Sequence, residues 1–341
     1  LLEQIPEDRL IVLAHHAPLV SFVDSNSTKH QTDNAAAIYR LLEGRPVVSL
    51  SGHTHTLENL APGEHFGGWQ EAVGVTKLPF RHIIAGAVSG NWWQGDFSVD
   101  GNAHALQRLG APKGVLTMSF DGTSYRESYA GSRINPRRTQ WLSLNTPGFR
   151  HWFESIVAWS KQPRDSRDPV PPLSINDLPD TGIITNQGLD AGVYFTVNVW
   201  AGSRETRVVA RIDDRPAVNL ERTQSGSGEA PRVGALYADP FAARNQLSVS
   251  RYALQSRSGN PRNQGAEAFR SQRIQGPPQP QGSVADRNMH LWRTRLPKDL
   301  SLGVHRIQVT STDRHGQEHA ETLLFEVRDQ RPPAHARQDI W

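Results

Sequence analysis

Apolar residues cluster early in two short continuous runs. Leu10-Ile11-Val12-Leu13-Ala14 has the pattern of a strand buried on both faces. A polar loop over residues 22–31 follows. Thr32 or Asp33 can then cap a helix running through Glu43, with Ile38, Leu41 and Leu42 as its apolar stripe and Gly44 at the C-cap. Pro46-Val47-Val48-Ser49-Leu50-Ser51 is a second buried strand. Strand, helix and strand together predict a parallel pair joined by a right-handed crossover.

Beyond Gly52 the pattern turns β-rich. Residues 82–88 read as a strand, and residues 114–120 and 124–129 flank Asp121-Gly122, a strong hairpin signal. A helix is expected over residues 149–160. Residues 163–180, rich in Pro, Asp, Ser and Arg, read as a crossing segment. Strand patterns recur at 194–200, 207–212, 290–296, 304–310 and 318–327, the last two closing on residues 313–317. Short strands with turn signals and no helical period predict a β-sandwich. Residues 255–287, dense in Gly, Pro, Gln, Ser and Arg, read as a long insertion, and no internal repeat is present.

In an α/β sheet, residues just past the carboxyl ends of parallel strands converge on one crevice. His15 and His16 follow the first strand, and Gly52-His53-Thr54-His55 follow the second, so several imidazoles are aimed at one place. The i, i+2 spacing of His53 and His55, read as extended, lets the two rings splay toward two points. That suits two metal ions about 3.5–4 Å apart. The competing readings are satisfied core histidines or turn residues. With no cysteine in the chain, any metal must be held by His, Asp, Glu or Asn.

The Gly52-His53-Thr54-His55 turn resembles the G-H-x-H motif of calcineurin-like metallophosphoesterases, and Val12-Leu13-Ala14-His15-His16-Ala17-Pro18 resembles that family's strand ending in H-x-P. Residues 85–96, with Trp92-Trp93, and residues 303–305 and 312–316 resemble the subgroup with a dedicated C-terminal domain. The resemblance implies an α/β fold, the C-terminal half of a four-layer αββα sandwich over residues 1–135. A connecting segment (136–187), an all-β sandwich (188–329) and a tail (330–341) would follow. It implies metal ligation by His16 and His53 on one ion and His55 on another, with two divalent ions (Mn, Fe or Zn) and a phosphoester substrate. His15, at a position usually apolar in that family, is expected beside the site. Glu58 and Asn59 are expected to orient the ligand histidines. Trp92 and Trp93 are the candidate substrate-facing wall, or plugs of the junction between domains, and Asn91 and Asp96 lie near them. The family's D-x-H, G-D-x and G-N-H-[DE] motifs are not upstream. Gly95-Asp96 and Gly101-Asn102-Ala103-His104 stand in the wrong chain order to replace them. The opening Leu1-Leu2-Glu3-Gln4-Ile5-Pro6 accordingly reads as a break inside a domain, with the general acid and bridging carboxylate expected upstream.

Composition narrows the rest. A net charge of +3, scattered among acidic residues, gives no nucleic-acid-binding face. No apolar run reaches the length of a membrane span. The resemblance points to periplasmic or secreted residence, while the sequence sets no oligomeric state. Two alternatives stay open. An amidohydrolase barrel also carries His-x-His after a strand, but would need further strand–helix units. A glycan or cell-envelope binding module would show aromatics in an exposed row, and burial of Trp200 and Trp292 would count against it.

Overall fold

The structure, a computed structural model, describes residues 2–88, 93–97, 103–105, 107–163, 182–243 and 284–330. Asn91, Trp92, the Pro-rich stretch beyond Pro163, the insertion up to residue 283 and the tail after residue 330 lie outside them.

The first unit comprises β1 (Ile11–Ala14), α1 (Ala35–Leu41), β2 (Val47–Ser51), β3 (Leu57–Leu60), α2 (Gly68–Val73) and β4 (Arg81–Ala85). Its sheet runs β1-β2-β4-β3, with β1, β2 and β4 parallel and β3 antiparallel to β4. The strand–helix–strand pattern therefore gives the parallel pair it predicts. Capping differs: Asn34 is the N-cap of α1 and makes no side-chain cap bond. The Thr32 hydroxyl is taken by Pro18 O at 3.0 Å instead, which ties the helix entry to the loop after β1. Only part of that loop is solvated: Asn26, Ser27, Thr28 and Lys29 are exposed, while its start is buried. Leu19, Val20 and Phe22 enter the core with Phe66, Trp69 and Leu78. The Phe22 and Phe66 rings lie 4.3 Å apart, and Trp69 Nε1 donates to Ser21 O at 2.9 Å. Six-residue α2 escapes sequence reading because it is too short to show a period.

Next come β5 (Trp93–Phe97) and β6 (Ala103–Ala105), then the hairpin β7 (Gly114–Asp121) and β8 (Ser124–Gly131). The hairpin turns on Asp121-Gly122 as expected, with Gly122 at φ 58°. The remaining elements are β9 (Gln140–Asn145), α3 (Pro147–Ser160), β10 (Ile183–Thr185), α4 (Asn186–Ala191), β11 (Tyr194–Val199), β12 (Arg207–Ile212), β13 (Val218–Asn219), β14 (Glu221–Arg222), β15 (Leu291–Arg295), β16 (Gly303–Thr312) and β17 (Glu318–Arg328). They form a five-stranded sheet, β10-β17-β16-β12-β13, and a four-stranded sheet, β14-β15-β11-β9. Phe195, Val197 and Trp292 from the smaller sheet share one apolar cluster with Val208, Ile307, Val309 and Phe325 from the larger. The chain is thus mixed α/β, mostly sheet with few helices.

Two strands fall inside the stretch read as a connection: β9 pairs with β11, and β10 pairs with β17. Sequence patterning misses β9 because Gln140-Trp141-Leu142-Ser143-Leu144-Asn145 is neither continuously apolar nor strictly alternating. Leu144 enters the shared cluster, while Trp141 stacks on Phe241 (4.6 Å) and packs against Trp200 (5.2 Å). Helix α3 begins at Pro147, two residues before its expected start, where the Thr146 hydroxyl accepts from Phe149 N at 3.1 Å. Trp200 and Trp292 are buried, so neither contributes to an exposed aromatic row. Among the described residues, no run of parallel strand–helix units of the kind a barrel needs follows β4.

The α/β unit and the β-rich remainder meet through buried polar contacts. Arg222 reaches Glu64 at 2.5 Å, with the Glu64 side chain inaccessible to solvent. His65 makes two backbone bonds to Gly226 and Gly228. Arg81 pairs with Glu205, and the Asn59 amide donates to Glu127 and to Ala201 O, both at 3.0 Å. Removing one partner of a buried ion pair leaves the other charge uncompensated. Glu64→Ala is therefore expected to lower stability by about 3–5 kcal/mol, measured by urea unfolding. A loss below about 1 kcal/mol, the scale of an exposed pair, would mean that this contact does not join the two parts.

Candidate metal centre

Parallel pairing of β1 and β2 continues past the ends of both strands. His15 N donates to Leu50 O at 3.1 Å, and Gly52 N donates to His16 O at 3.0 Å. These bonds set His16 beside the G-H-x-H turn. The turn is not extended, as its spacing suggested: His53 has φ 70° and His55 has φ 55°. Left-handed backbone at a non-glycine residue costs on the order of 1–3 kcal/mol, so the surroundings must hold it. Thr54 N donates to Gly52 O at 2.8 Å, and Arg108 N donates to His55 O at 2.9 Å. The Arg108 guanidinium also donates to Thr54 O and pairs with Asp24.

Two predicted ligands meet here. His53 Nδ1 lies 3.0 Å from His16 Nε2, with the rings edge to face. On the opposite side of the same ring, His53 Nε2 lies 3.0 Å from Nδ1 of His30. His30 is missed by sequence reading because it sits in a polar loop with no motif; a histidine shortly after an H-x-P strand end was the available signal. Its place is fixed by Gln31, whose amide accepts from Ser21 N (2.9 Å) and donates to Asp24 O (3.0 Å) and Ser27 O (2.8 Å). Burial lowers the His30 pKa from the ordinary histidine value, partly offset by Asp24. His55, at the end of the turn, is buried.

His15 stands behind the cluster with both ring nitrogens engaged, Nδ1 on Ala17 O and Nε2 on Ser49 Oγ at 2.7 Å. Ser49 Oγ also meets Nδ1 of the fully buried His82 at 2.8 Å, and the two rings stack. His82, in β4, is a second histidine that sequence reading passed over as strand filling.

Glu58 touches no histidine of the cluster; it joins the two loops that carry them. Fully buried, it accepts from Ser21 Oγ (2.8 Å), Phe22 N (2.7 Å) and Thr56 Oγ1 (2.6 Å). Burial raises its pKa against the pull of those three donors. Asn59 corrects expectation more sharply. It faces the other side of β3, its amide on Glu127, Ala201 O and Arg81, because successive strand residues point to opposite faces. It orients the junction and no histidine. Trp93 falls in β5, and Trp92 lies outside the described residues.

Nitrogen ligands at about 2.0–2.1 Å from one ion stand roughly 3 Å apart at neighbouring corners, so His16 Nε2 and His53 Nδ1 fit a shared ion. That pair accounts for one ion. Among the described residues, no three His, Asp or Glu side chains converge to hold a metal. The His16–His53–His30 run cannot be such a triad, since His53 turns opposite nitrogens to its neighbours and one imidazole cannot give both to the same ion.

Two expectations follow. Glu58→Ala strands three buried donors, each costing about 1–3 kcal/mol. It should destabilise the chain by at least about 3 kcal/mol and speed hydrogen exchange at the Phe22 amide, while Glu58→Gln is milder because the hydroxyls can reorient. The second concerns pH. Burial holds the pKa of both His82 and His290 down at about 3. Each stays neutral when folded and takes up a proton on unfolding below about pH 6.5. Stability is therefore full above that pH and falls toward pH 3, by about 1.4 kcal/mol per pH unit for each ring. Urea unfolding between pH 7 and 4 checks this, with a flat profile against it.

The family model described as the C terminal of calcineurin-like phosphoesterase matches residues 82–260, just over half of the chain, beginning at His82 in β4. No curated protein matches. Among solved structures, a domain titled as the extracellular part of a one-component system from B. thetaiotaomicron aligns with 67% of this chain at 11% identity and a TM-score of 0.22. This chain spans 22% of that structure's length, and so slight a likeness carries no argument about fold or function. With more than half of it matched, the chain belongs to the calcineurin-like phosphoesterase family and carries that family's C-terminal domain.

Proposed function

We propose that this chain supplies the imidazole side of a metal-dependent phosphoester hydrolase. His16 and His53 hold one divalent ion (Mn, Fe or Zn), and His55 serves a second. The observation that carries the reading is the 3.0 Å approach of His16 Nε2 to His53 Nδ1 at adjacent strand ends, in a chain of this family. In this reading residues 1–135 are half of a four-layer αββα sandwich and residues 188–329 a β-sandwich. β9 and β10 extend that sandwich into the connecting segment. Trp92 and Trp93 face the substrate, and the setting is periplasmic or secreted.

A bound ion supplies Lewis-acid polarisation of a phosphoryl oxygen. The chain's own residues do the positioning. Gly52 N holds the His16 backbone, Arg108 holds that of His55, and Glu58 locks the two loops together, so the rings are aimed before any ligand arrives. Among the described residues no third His, Asp or Glu joins His16 and His53 to hold a metal, so in this reading the bridging acid is supplied from elsewhere. The substrate, mono- or diester, is an ester whose phosphoryl group reaches this strand-end crevice.

The test is zinc and manganese titration of the chelator-stripped chain by calorimetry, beside assays of p-nitrophenyl phosphate and its bis-ester. Weak binding abolished in the His16→Ala/His53→Ala double variant, with negligible turnover of either ester, is expected. Binding identical in wild type and double variant would sink the site. Robust turnover by this chain alone would refute the need for an added carboxylate.

A further inference from the structure

We propose that His30 is a positioning residue for the metal ligand His53, its Nδ1 accepting a hydrogen bond from the His53 Nε2–H and so keeping the ring proton off the Nδ1 that faces His16. The inference rests on the shared-ion reading of His16 and His53. For His53 to bind through Nδ1, its one ring proton must sit on Nε2. A ligating imidazole commonly donates that other N–H to a fixed acceptor, which sets tautomer and ring orientation. The atom in that place is His30 Nδ1, at 3.0 Å. In most such pairs the acceptor is a carboxylate, a backbone carbonyl or water; here it is a second imidazole.

Direct ligation by His30 fails on geometry. It faces His53 Nε2, whereas the shared-ion position faces Nδ1, on the other side of the ring. The loop around His30 is built to hold it still. Thr28–His30 form a 3-10 turn in which the Ser27 hydroxyl accepts from Lys29 N at 3.1 Å. Gln31 then ties the turn to Ser21 and Asp24. Packing of Phe22 against Phe66 and the Trp69 bond to Ser21 O connect the same loop to the core. His30 is thus half-buried on a braced turn, in reach of one nitrogen of one ring.

The acceptor role separates substitutions that size alone would not. Asn places Oδ1, and Asp places Oδ1 as an unprotonated oxygen, where His places Nδ1; Ala and Leu offer no acceptor. Zinc affinity by calorimetry should fall about 10–100-fold in His30→Ala and His30→Leu, and return toward wild type in His30→Asn and His30→Asp. The second readout needs no metal: long-range nitrogen–proton NMR of histidine-labelled protein reports which nitrogen of His53 carries the proton. Wild type should show Nε2–H for His53, and His30→Ala should show a tautomer mixture. Unchanged zinc affinity in His30→Ala, or a wild-type His53 protonated on Nδ1, would overturn the proposal. Should wild type bind no zinc, the shared-ion reading fails by itself, and the tautomer measurement still decides what His30 does.

Discussion

A single buried carboxylate holds the histidine-bearing loops in register. Glu58 sits at the start of β3 with no solvent access and draws Ser21, Phe22 and Thr56 onto its two oxygens. Ser21 and Phe22 belong to the loop that follows His16; Thr56 closes the turn that bears His53 and His55. Burying a charge is costly unless its oxygens are occupied, so the three donors and the carboxylate need one another. The mutual satisfaction fixes the distance between the loops, and that distance sets the approach of His16 to His53.

The β-rich part is a brace for the same loops rather than an appendage. Arg287 donates to Val23 O at 2.9 Å, within the loop after His16. Asn198 and Asn288 both donate to Leu109 O, the residue beside the Arg108 that holds His55 O. Asn198 is in turn fixed by the buried His290 and Asp239, the latter pushed by burial up to about 6. Met289 enters the core of the α/β unit alongside Leu19 and Phe66. Residues 143 or more positions downstream of His55 therefore shape the turn, a coupling carried by packed side chains and hydrogen bonds.

How much of this was legible depended on range. The parallel pair, the hairpin on Asp121-Gly122 and the long strands near the end were readable because local pattern and turn chemistry dictate them. The apolar run before His16 and the G-H-x-H turn pointed to the strand ends where His16 and His53 meet. What stayed hidden was tertiary. The left-handed turn at His53 and His55 is braced by Arg108, far along the chain, and spacing alone suggested an extended segment. His30 and His82 gain meaning only once the fold sets them beside His53 and Ser49. Asn59 looked like a neighbour of the site because it follows Glu58, yet strand alternation turns it to the opposite face. β9 was unreadable as a strand of the smaller sheet because Gln140, Ser143 and Asn145 interrupt its apolar residues without a strict alternation.

The left-handed backbone at His53 and His55 sets stability against chemistry at two positions. Glycine occupies that conformation freely, and asparagine more readily than histidine. Replacing either histidine by one of them would relieve local strain while deleting an imidazole. A screen that rewarded thermal resistance alone would drift toward a tougher, ring-less turn. Whatever keeps both imidazoles there must therefore act through what the rings do, since the backbone on its own would be better served without them.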